Sequence, residues 1–552
     1  MSKSRRQAVF AAVLVAFSVS AGACAGGSSD SIEGTEESGS AAGTSDESVL
    51  RVAVEAEADG FNPTSNRFTN ANFVMMGPVF DNLVYYDPDG NWIPFLAESF
   101  EPVDETNMSW RMTLPQGVMF HDGSELDAAD VVATVGGQLA DQTIGLVLRY
   151  RYDLDNPIEI VDDYTVQFNL TRSESNFPET LGGQLGMIVP SEWLAALEEN
   201  PEMAQMPPGT GPFMIESRIQ DEVTVLVPFE DYWAADQFEF SLDRIELYPV
   251  TDPVVAAERI LAGDLALVTS SNIDALLTLR DAADDGIQTI ENKTASEDFM
   301  ILNTARAPFN DIRVRQAITH ATPQDAYVSL IRQGVADRAD SMFHPDLRFN
   351  NPDVVQETDM PELAGPLVAE YCADEPTRCT DGKVDIELQH SGPSTVQTRI
   401  ADLLIDGWSD YFNVTVDEKL QDDHVLEVIL GAFDAVTFRQ FEEPAPENDL
   451  LWLDCNTIDF TSLNFPRYCD EERQAIIDEI VATNDEARDI ELWQQLQVEI
   501  QESYTYVFFN HAVWNIGAGA NVEGICGQTT PYGLEMMCNN QGRVRLRSIS
   551  VN

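Results

Sequence analysis

Two stretches share one design: Phe80-Asp81-Asn82-Leu83-Val84-Tyr85-Tyr86-Asp87-Pro88-Asp89-Gly90, and Leu114-Pro115-Gln116-Gly117-Val118-Met119-Phe120-His121-Asp122-Gly123. In each an apolar run is stopped by a tight turn. In the first, Pro88 presets φ and Gly90 supplies the positive φ the turn requires. Between the turns Trp110, Met112 and Leu114 alternate with polar residues, which predicts a strand over Ser109 to Leu114. Beyond the second turn Asp127 to Leu139 reads as a helix opened by acidic residues. Upstream, Phe73, Met76, Phe80, Leu83 and Val84 recur at helical spacing and predict a helix over Phe73 to Tyr86. Val49 to Glu55 reads as a buried strand ended by Gly60-Phe61-Asn62-Pro63.

The alternation continues outward. Strands are predicted at Thr165 to Leu170, Phe213 to Ser217 and Glu222 to Pro228, and Arg244 to Val250 leads into a helix over Pro253 to Ala262 closed by Gly263. Pro308 to Ala321 is predicted as a helix with Ile312, Ala317 and Ile318 inward and Arg313 and Arg315 outside, pairing with surface carboxylates. Glu471 to Ala482 and Asp485 to Ser503 read as long amphipathic helices, the second presenting Leu492, Trp493, Leu496 and Ile500 on one face. Strands interleaved with helices indicate a mixed α/β architecture rather than an all-β sandwich. With no internal repeat and no second linker, the body from residue 49 reads as one multi-lobed unit.

Composition excludes some functions. The 552 residues carry 94 Asp plus Glu against 31 Lys plus Arg, a net charge of −63, and 44% hydrophobic residues. Too few cations remain to neutralise phosphates, so a nucleic-acid partner is excluded, while the apolar content is ample for packed cores. Residues 1–24 contribute +3 and residues 25–48 contribute −6, which leaves −60 of the −63 on the folded body. Lys3, Lys293, Lys383 and Lys419 are the lysines; the other basic residues are Arg. The acidity reads as a solvated surface, with an acidic cleft for cationic ligands as the sharper alternative.

Met1 to Arg6 is basic, Ala8 to Ser20 is apolar, and Ala21-Gly22-Ala23-Cys24 ends the run in small residues, the pattern of an export signal. Two cleavage readings fit. Small residues before Cys24 match a lipobox, whose Cys is lipidated; Ala21 where Leu is usual also suits an ordinary signal peptidase. The Gly-, Ser- and Glu-rich stretch 25–48 has the composition of a tether and favours a lipid anchor at Cys24. The other six cysteines, Cys372, Cys379, Cys455, Cys469, Cys526 and Cys538, fall into three local couples. An even count in an oxidising compartment reads as disulfides, nearest-neighbour pairing being the simplest connectivity. A zinc site is the alternative, without C-x-x-C spacing or a nearby His pair to support it.

The two opening stretches, with Leu96-Ala97-Glu98-Ser99-Phe100, Trp110 and Ala129-Asp130-Val131 between and after them, resemble the bacterial extracellular solute-binding protein family 5, the oligopeptide, dipeptide and nickel receptors of ABC importers. Later matches keep the order: Pro208-Gly209-Thr210-Gly211-Pro212-Phe213, Asp231-Tyr232-Trp233, Asn303, Pro308-Phe309, Val314 to Ala321, and Gly431-Ala432-Phe433-Asp434-Ala435. The resemblance implies a type II periplasmic-binding-protein-like α/β fold, with two lobes, an extra subdomain and a hinge. On it, residues 49–80, 208–298 and 505–552 form the main lobe, 81–207 the inserted subdomain and 299–504 the second lobe. It also implies a monomeric, non-enzymatic receptor without cofactor, delivering its ligand to permease subunits and their ATPase from the outer face of the cytoplasmic membrane or the periplasm.

In the peptide receptors an Asp four residues before a Pro, in the loop after the Phe-Asp-Ala strand, holds the ligand α-ammonium. Counting back from Pro444 puts Gln440 there, which accepts a hydrogen bond but supplies no charge. Glu442 or Glu443 replaces the charge if the loop is shifted. Arg439 is read either as a clamp for a carboxylate or as a salt-bridge partner of one of those glutamates. Glu57 after the first strand, Phe299 and Asn303 at the crossover, and Trp408 and Trp514 in the facing lobe complete the candidate contacts. Two other functions compete: a secreted acidic hydrolase, for which no G-x-S-x-G, H-E-x-x-H or P-loop motif is present, and a sensory or chaperone role on the same fold. The six His are scattered without i, i+4 pairs, a poor basis for a metal site, although nickel carried by a chelator stays open.

Overall fold

Leu50, Val52 and Val54 face one apolar core and Ala53 faces another, so the strand Val49–Val54 is covered on both sides. Only Arg51 breaks its apolar run; it is exposed and pairs with Glu246 at 3.1 Å. The computed structural model describes residues 47–238, 240–294, 296–441 and 446–552; the export signal, Cys24 and the tether lie outside them. Val49–Val54 is the middle strand of a seven-stranded sheet in the order Gln288–Asn292, Trp514–Ala518, Leu267–Ser270, Val49–Val54, Arg244–Pro249, Val223–Pro228, Phe213–Ile219. It pairs in parallel with Arg244–Pro249 and Leu267–Ser270, which the helix Pro253–Leu261 connects. Asp252 caps that helix by accepting from the amides of Val254 and Val255.

Residues 81–207 contain a four-stranded antiparallel sheet, ordered Ser99–Pro102, Ser109–Thr113, Thr165–Asn169, Ile158–Asp162. The helix Ala128–Ala140 packs Val131 and Val135 on its apolar face with Met112, Val166 and Phe168. The helix expected over Phe73 to Tyr86 is shorter. It spans Asn70–Met76, and Gly77-Pro78 ends it, the Pro having no amide to donate. Val84–Tyr86 is instead a strand pairing with Trp92–Pro94 across the Asp87–Gly90 turn, where Gly90 has φ +87°. The helical spacing arose because both segments are buried on several sides, so their apolar positions run together.

A second sheet is ordered Cys379–Thr380, Lys383–Ser391, Ala435–Gln440, Glu297–Leu302, Tyr506–His511, with Phe412–Lys419 also on Lys383–Ser391. Lys383–Ser391 is parallel to both Ala435–Gln440 and Phe412–Lys419. Because Tyr506–His511 pairs with Glu297–Leu302, the chain returns to the first sheet after His511 rather than at 505. Leu492, Trp493, Leu496 and Ile500 are buried on the helix Glu486–Ser503, as the amphipathic pattern predicts. The expectation for Arg315 fails. The helix spans Ile312–Ala321, and Arg315 points inward, donating to the carbonyls of Ser503 at 2.9 Å and Phe309 at 2.8 Å. It satisfies a carbonyl at the end of a helix, where cations are favoured. Arg313 stays outside and pairs with Asp311 at 2.7 Å and Asp374 at 2.8 Å. The six described cysteines pair as neighbours: Cys372 with Cys379, Cys455 with Cys469, and Cys526 with Cys538.

Candidate ligand-binding cleft

Parallel strands in both sheets aim their carboxyl ends at one region. On the first sheet Val49–Val54 runs into Glu55 and Leu267–Ser270 into Ser271 and Asn272; on the second, Lys383–Ser391 and Ala435–Gln440 end in Ser391 and Gln440. Crevices beyond such ends are where open α/β sheets bind ligands. Two adjoining cavities occupy the region, sharing Gln421, Phe438 and Arg439 as a common wall.

The larger, about 540 Å³, is mainly apolar. Ile144, Leu146, Val147 and Leu185 of the inserted subdomain face Phe438, Trp452 and Phe465, with Trp514 and Gln440 also in the wall. The Trp452 and Phe465 rings pack at 4.9 Å. Arg67, at the edge, is exposed and makes no hydrogen bond or ion pair with a described residue.

The smaller, about 400 Å³, is the more polar of the two, with polar and apolar surface in about equal parts. Asp298, at the start of Glu297–Leu302, is gripped by Arg332 at 2.6 Å and by Arg439 at 2.7 Å. Burial pushes its carboxyl up, but the Arg332 and Arg439 guanidiniums outweigh this and hold it below the usual range. Arg439 also donates to Ser271 of the first sheet's loop at 2.7 Å and lies 5.8 Å from the Trp514 ring, so this one side chain joins the two lobes. Burial lowers His424 to about 4, so it lines the cavity as a neutral ring. Among the described residues the charged groups here are Glu55, Asp298, Arg332 and Arg439, two of each sign. The described lining of this compartment thus carries none of the acid excess of the chain as a whole.

The nominated residues divide. Arg439, Gln440 and Trp514 line the cavities, and Trp514 donates to Ser296 at 3.1 Å. Arg439 takes Asp298 as its partner where a neighbouring glutamate was expected; Glu442 and Glu443 lie outside the described residues. Phe299 reaches the wall of the smaller cavity, its ring packed on Phe441 at 5.2 Å and Tyr506 at 5.3 Å. Trp408 does not face the cleft: it is fully buried in the second lobe's core and donates to Thr322 at 3.1 Å. Asn303 is equally buried, bonding the carbonyls of Gly431 at 3.0 Å and Phe433 at 2.9 Å, which fixes the crossover. Glu57 is committed to Arg218 at 2.7 Å and the Asp221 amide at 2.8 Å. His121 accepts from the Gly209 amide and donates to the Gly211 carbonyl at 2.8 Å, pinning the crossing segment; burial lowers it to about 4.

Sequence reasoning missed Glu55, Asp298 and Arg332. The signal for Glu55 was present: it directly follows a strand buried on both faces, where a carboxyl-end crevice is expected. For Asp298 and Arg332, far apart in sequence, only the fold brings the pair together.

A family model described as "Bacterial extracellular solute-binding proteins, family 5 Middle" matches residues 91–458. Heme-binding protein A of Haemophilus influenzae is 24% identical over 480 residues, 83% of this chain and 85% of its own length. The dipeptide-binding protein of Escherichia coli is 24% identical over 486 residues, 83% of this chain and 88% of its own length. Among solved structures, the periplasmic binding protein DppA from Helicobacter pylori with peptide STSA superposes with a TM-score of 0.77 at 20% identity, covering 91% of this chain and 98% of that one. AgaA from Agrobacterium tumefaciens with agropinic acid gives 0.77 at 20%, covering 91% and 99%. These are binding proteins, and the hydrolase reading is not favoured. The fold with its interlobe cleft and the family match agree: the chain belongs to the bacterial extracellular solute-binding proteins of family 5.

Proposed function

We infer that the chain captures a peptide or a solute of similar size between its lobes and delivers it to the permease and ATPase of an ABC importer. One observation carries this reading: both parallel strand groups end on the same pair of cavities, and Arg439 spans from one lobe to the other across them. Hinge closure around a ligand explains such an arrangement, because residues of both lobes then share its burial. The apolar compartment accepts side chains or a ring system, and the polar one accepts charged or hydrogen-bonding ends. Arg439, Gln440, Trp514 and Phe299 are the contacts retained from the sequence, joined by Glu55 and Trp452.

No helix among the described residues is long and apolar enough to cross a membrane. We assign attachment to lipidation at Cys24, with residues 25–48 as tether; a mature N-terminus at Cys24 without acyl mass refutes it. The receptor role is tested by denaturing purified protein and analysing the released solutes by mass spectrometry. A co-purifying solute is expected. Added back at 100 times its dissociation constant, it stabilises the fold by ~2.7 kcal/mol. Turnover of a peptide or glycoside panel sinks the reading.

A further inference from the structure

We propose that Glu55 is the receptor for a cationic group, an amine, on the bound solute, supplying a negative charge from the lobe opposite Gln440. This rests on the receptor reading above and deepens it.

Glu55 stands at the carboxyl end of the central parallel strand and lines the polar cavity. Its carboxylate makes no hydrogen bond and no ion pair with any described residue; the side chain is half-buried in the cavity wall and its oxygens stay open to the cavity. Burial pushes its carboxyl up, opposed by the field of Arg439. Closure of the lobes on a solute displaces the water it faces, and a carboxylate then held there is costly unless a cation or donors complete it. Every other charged group that the described residues bring to the compartment is already engaged: Asp298 by two guanidiniums, and Arg332 and Arg439 by Asp298.

A bland role is available, because the Arg332–Asp298–Arg439 triad carries one excess positive charge that Glu55 balances. That role does not account for the geometry. A side chain present only to neutralise Arg439 gains most by direct contact, as Asp298 does at 2.7 Å, yet Glu55 lies outside ion-pair distance. Glu57, two residues on, shows what a satisfied glutamate looks like here, with Arg218 and a backbone amide on its oxygens. Gln440 supplies no charge from the second lobe. The solute then carries its amine to Glu55 and its apolar body past Phe438 and Arg439 into the larger compartment. When the cation sits on Glu55, the triad's excess positive charge is exposed to the same ligand and favours a negative group beside the amine.

The test uses the full chain and its Glu55→Gln variant. Solutes released on denaturation are identified by mass spectrometry, and calorimetry compares leucyl-leucine with N-acetyl-leucyl-leucine. Expected are an amine-bearing solute depleted about tenfold or more in the variant, and a free-amine preference of about tenfold or more that the variant loses. The variant removes an uncompensated charge, so its ligand-free unfolding temperature should not fall. If it fails to fold, the acetylation comparison on the unmodified chain decides. Three results overturn the proposal while leaving the receptor reading intact: a solute without basic nitrogen, equal retention in the variant, or equal affinity for both dipeptides. No released solute together with no binding of either dipeptide overturns both.

Discussion

Asp298 and Glu447 are buried acids at two interfaces of the same molecule, and they end in opposite charge states. Asp298 sits where the lobes meet, between Arg332 and Arg439, and stays ionised. Glu447 sits where the inserted subdomain meets the second lobe. Its side chain accepts from Asn176 at 2.5 Å, while Arg151 donates to its backbone carbonyl at 3.2 Å. Burial, reinforced by Asp489 and Glu174, holds its carboxyl well above the usual range. Removal from water is similar in the two places. What differs is whether guanidiniums reach the carboxylate itself, and that decides whether the interface carries a fixed ion or a proton-dependent one.

The largest effect is expected from breaking the fixed ion. Asp298→Asn leaves two arginines without the carboxylate that both contact and should destabilise the fold by ~3–5 kcal/mol, read by denaturant unfolding near neutral pH. Glu447→Gln should act in the other direction, and only above a certain pH. Because the folded carboxyl binds its proton more tightly than the unfolded one, stability is greatest below the unfolded value and declines as pH rises through the folded one. The variant should therefore match the parent near pH 4 and exceed it by ~1–3 kcal/mol at high pH, seen as a flatter dependence of unfolding temperature on pH. Asp489, raised to about 6 chiefly by burial, adds a decline of the same sign through that region in both proteins.

Smaller effects separate ligand binding from stability. Trp452→Ala opens the apolar compartment and should weaken solute binding by ~1–2 kcal/mol, roughly tenfold, in calorimetry with the co-purified solute. Ser271→Ala removes the hydroxyl that Arg439 reaches across the cleft. It should cost about 1 kcal/mol of closure, measurable as a modest loss of affinity with little change in ligand-free unfolding. A loss as large as that from Asp298→Asn would mean that Ser271 supports the triad itself.

The sequence made the elements legible wherever burial is one-sided. Ser109–Thr113 and Glu486–Ser503 each show one core face, and their periods identified them. Asn70–Met76 and Val84–Tyr86 are enclosed on several sides, so periodicity merged a helix and a strand into one. Arg315 was misplaced because nothing local marks a cation that finds carbonyls in the interior. At the cleft, Arg439 and Gln440 were reached by counting back from Pro444, Trp514 as an aromatic of the facing lobe and Phe299 by its place at the crossover. Asp298 and Arg332 were not, since their roles depend on a pairing that sequence separation hides. Glu57 was chosen over Glu55 because both follow the first strand, and only the position of Arg218 distinguishes the committed acid from the open one. The charge of −63 was equally ambiguous; the balanced signs around Arg439 separate surface acidity from ligand charge.

The central claim is that a solute is enclosed by both lobes at once, and hydrogen exchange with and without the co-purified solute tests it most directly. The expected result is protection gained together at Ser270–Asn272 of the first lobe and Phe438–Gln440 of the second, with the other strands of both sheets unchanged. Protection confined to one lobe, or appearing away from these two segments, would contradict it.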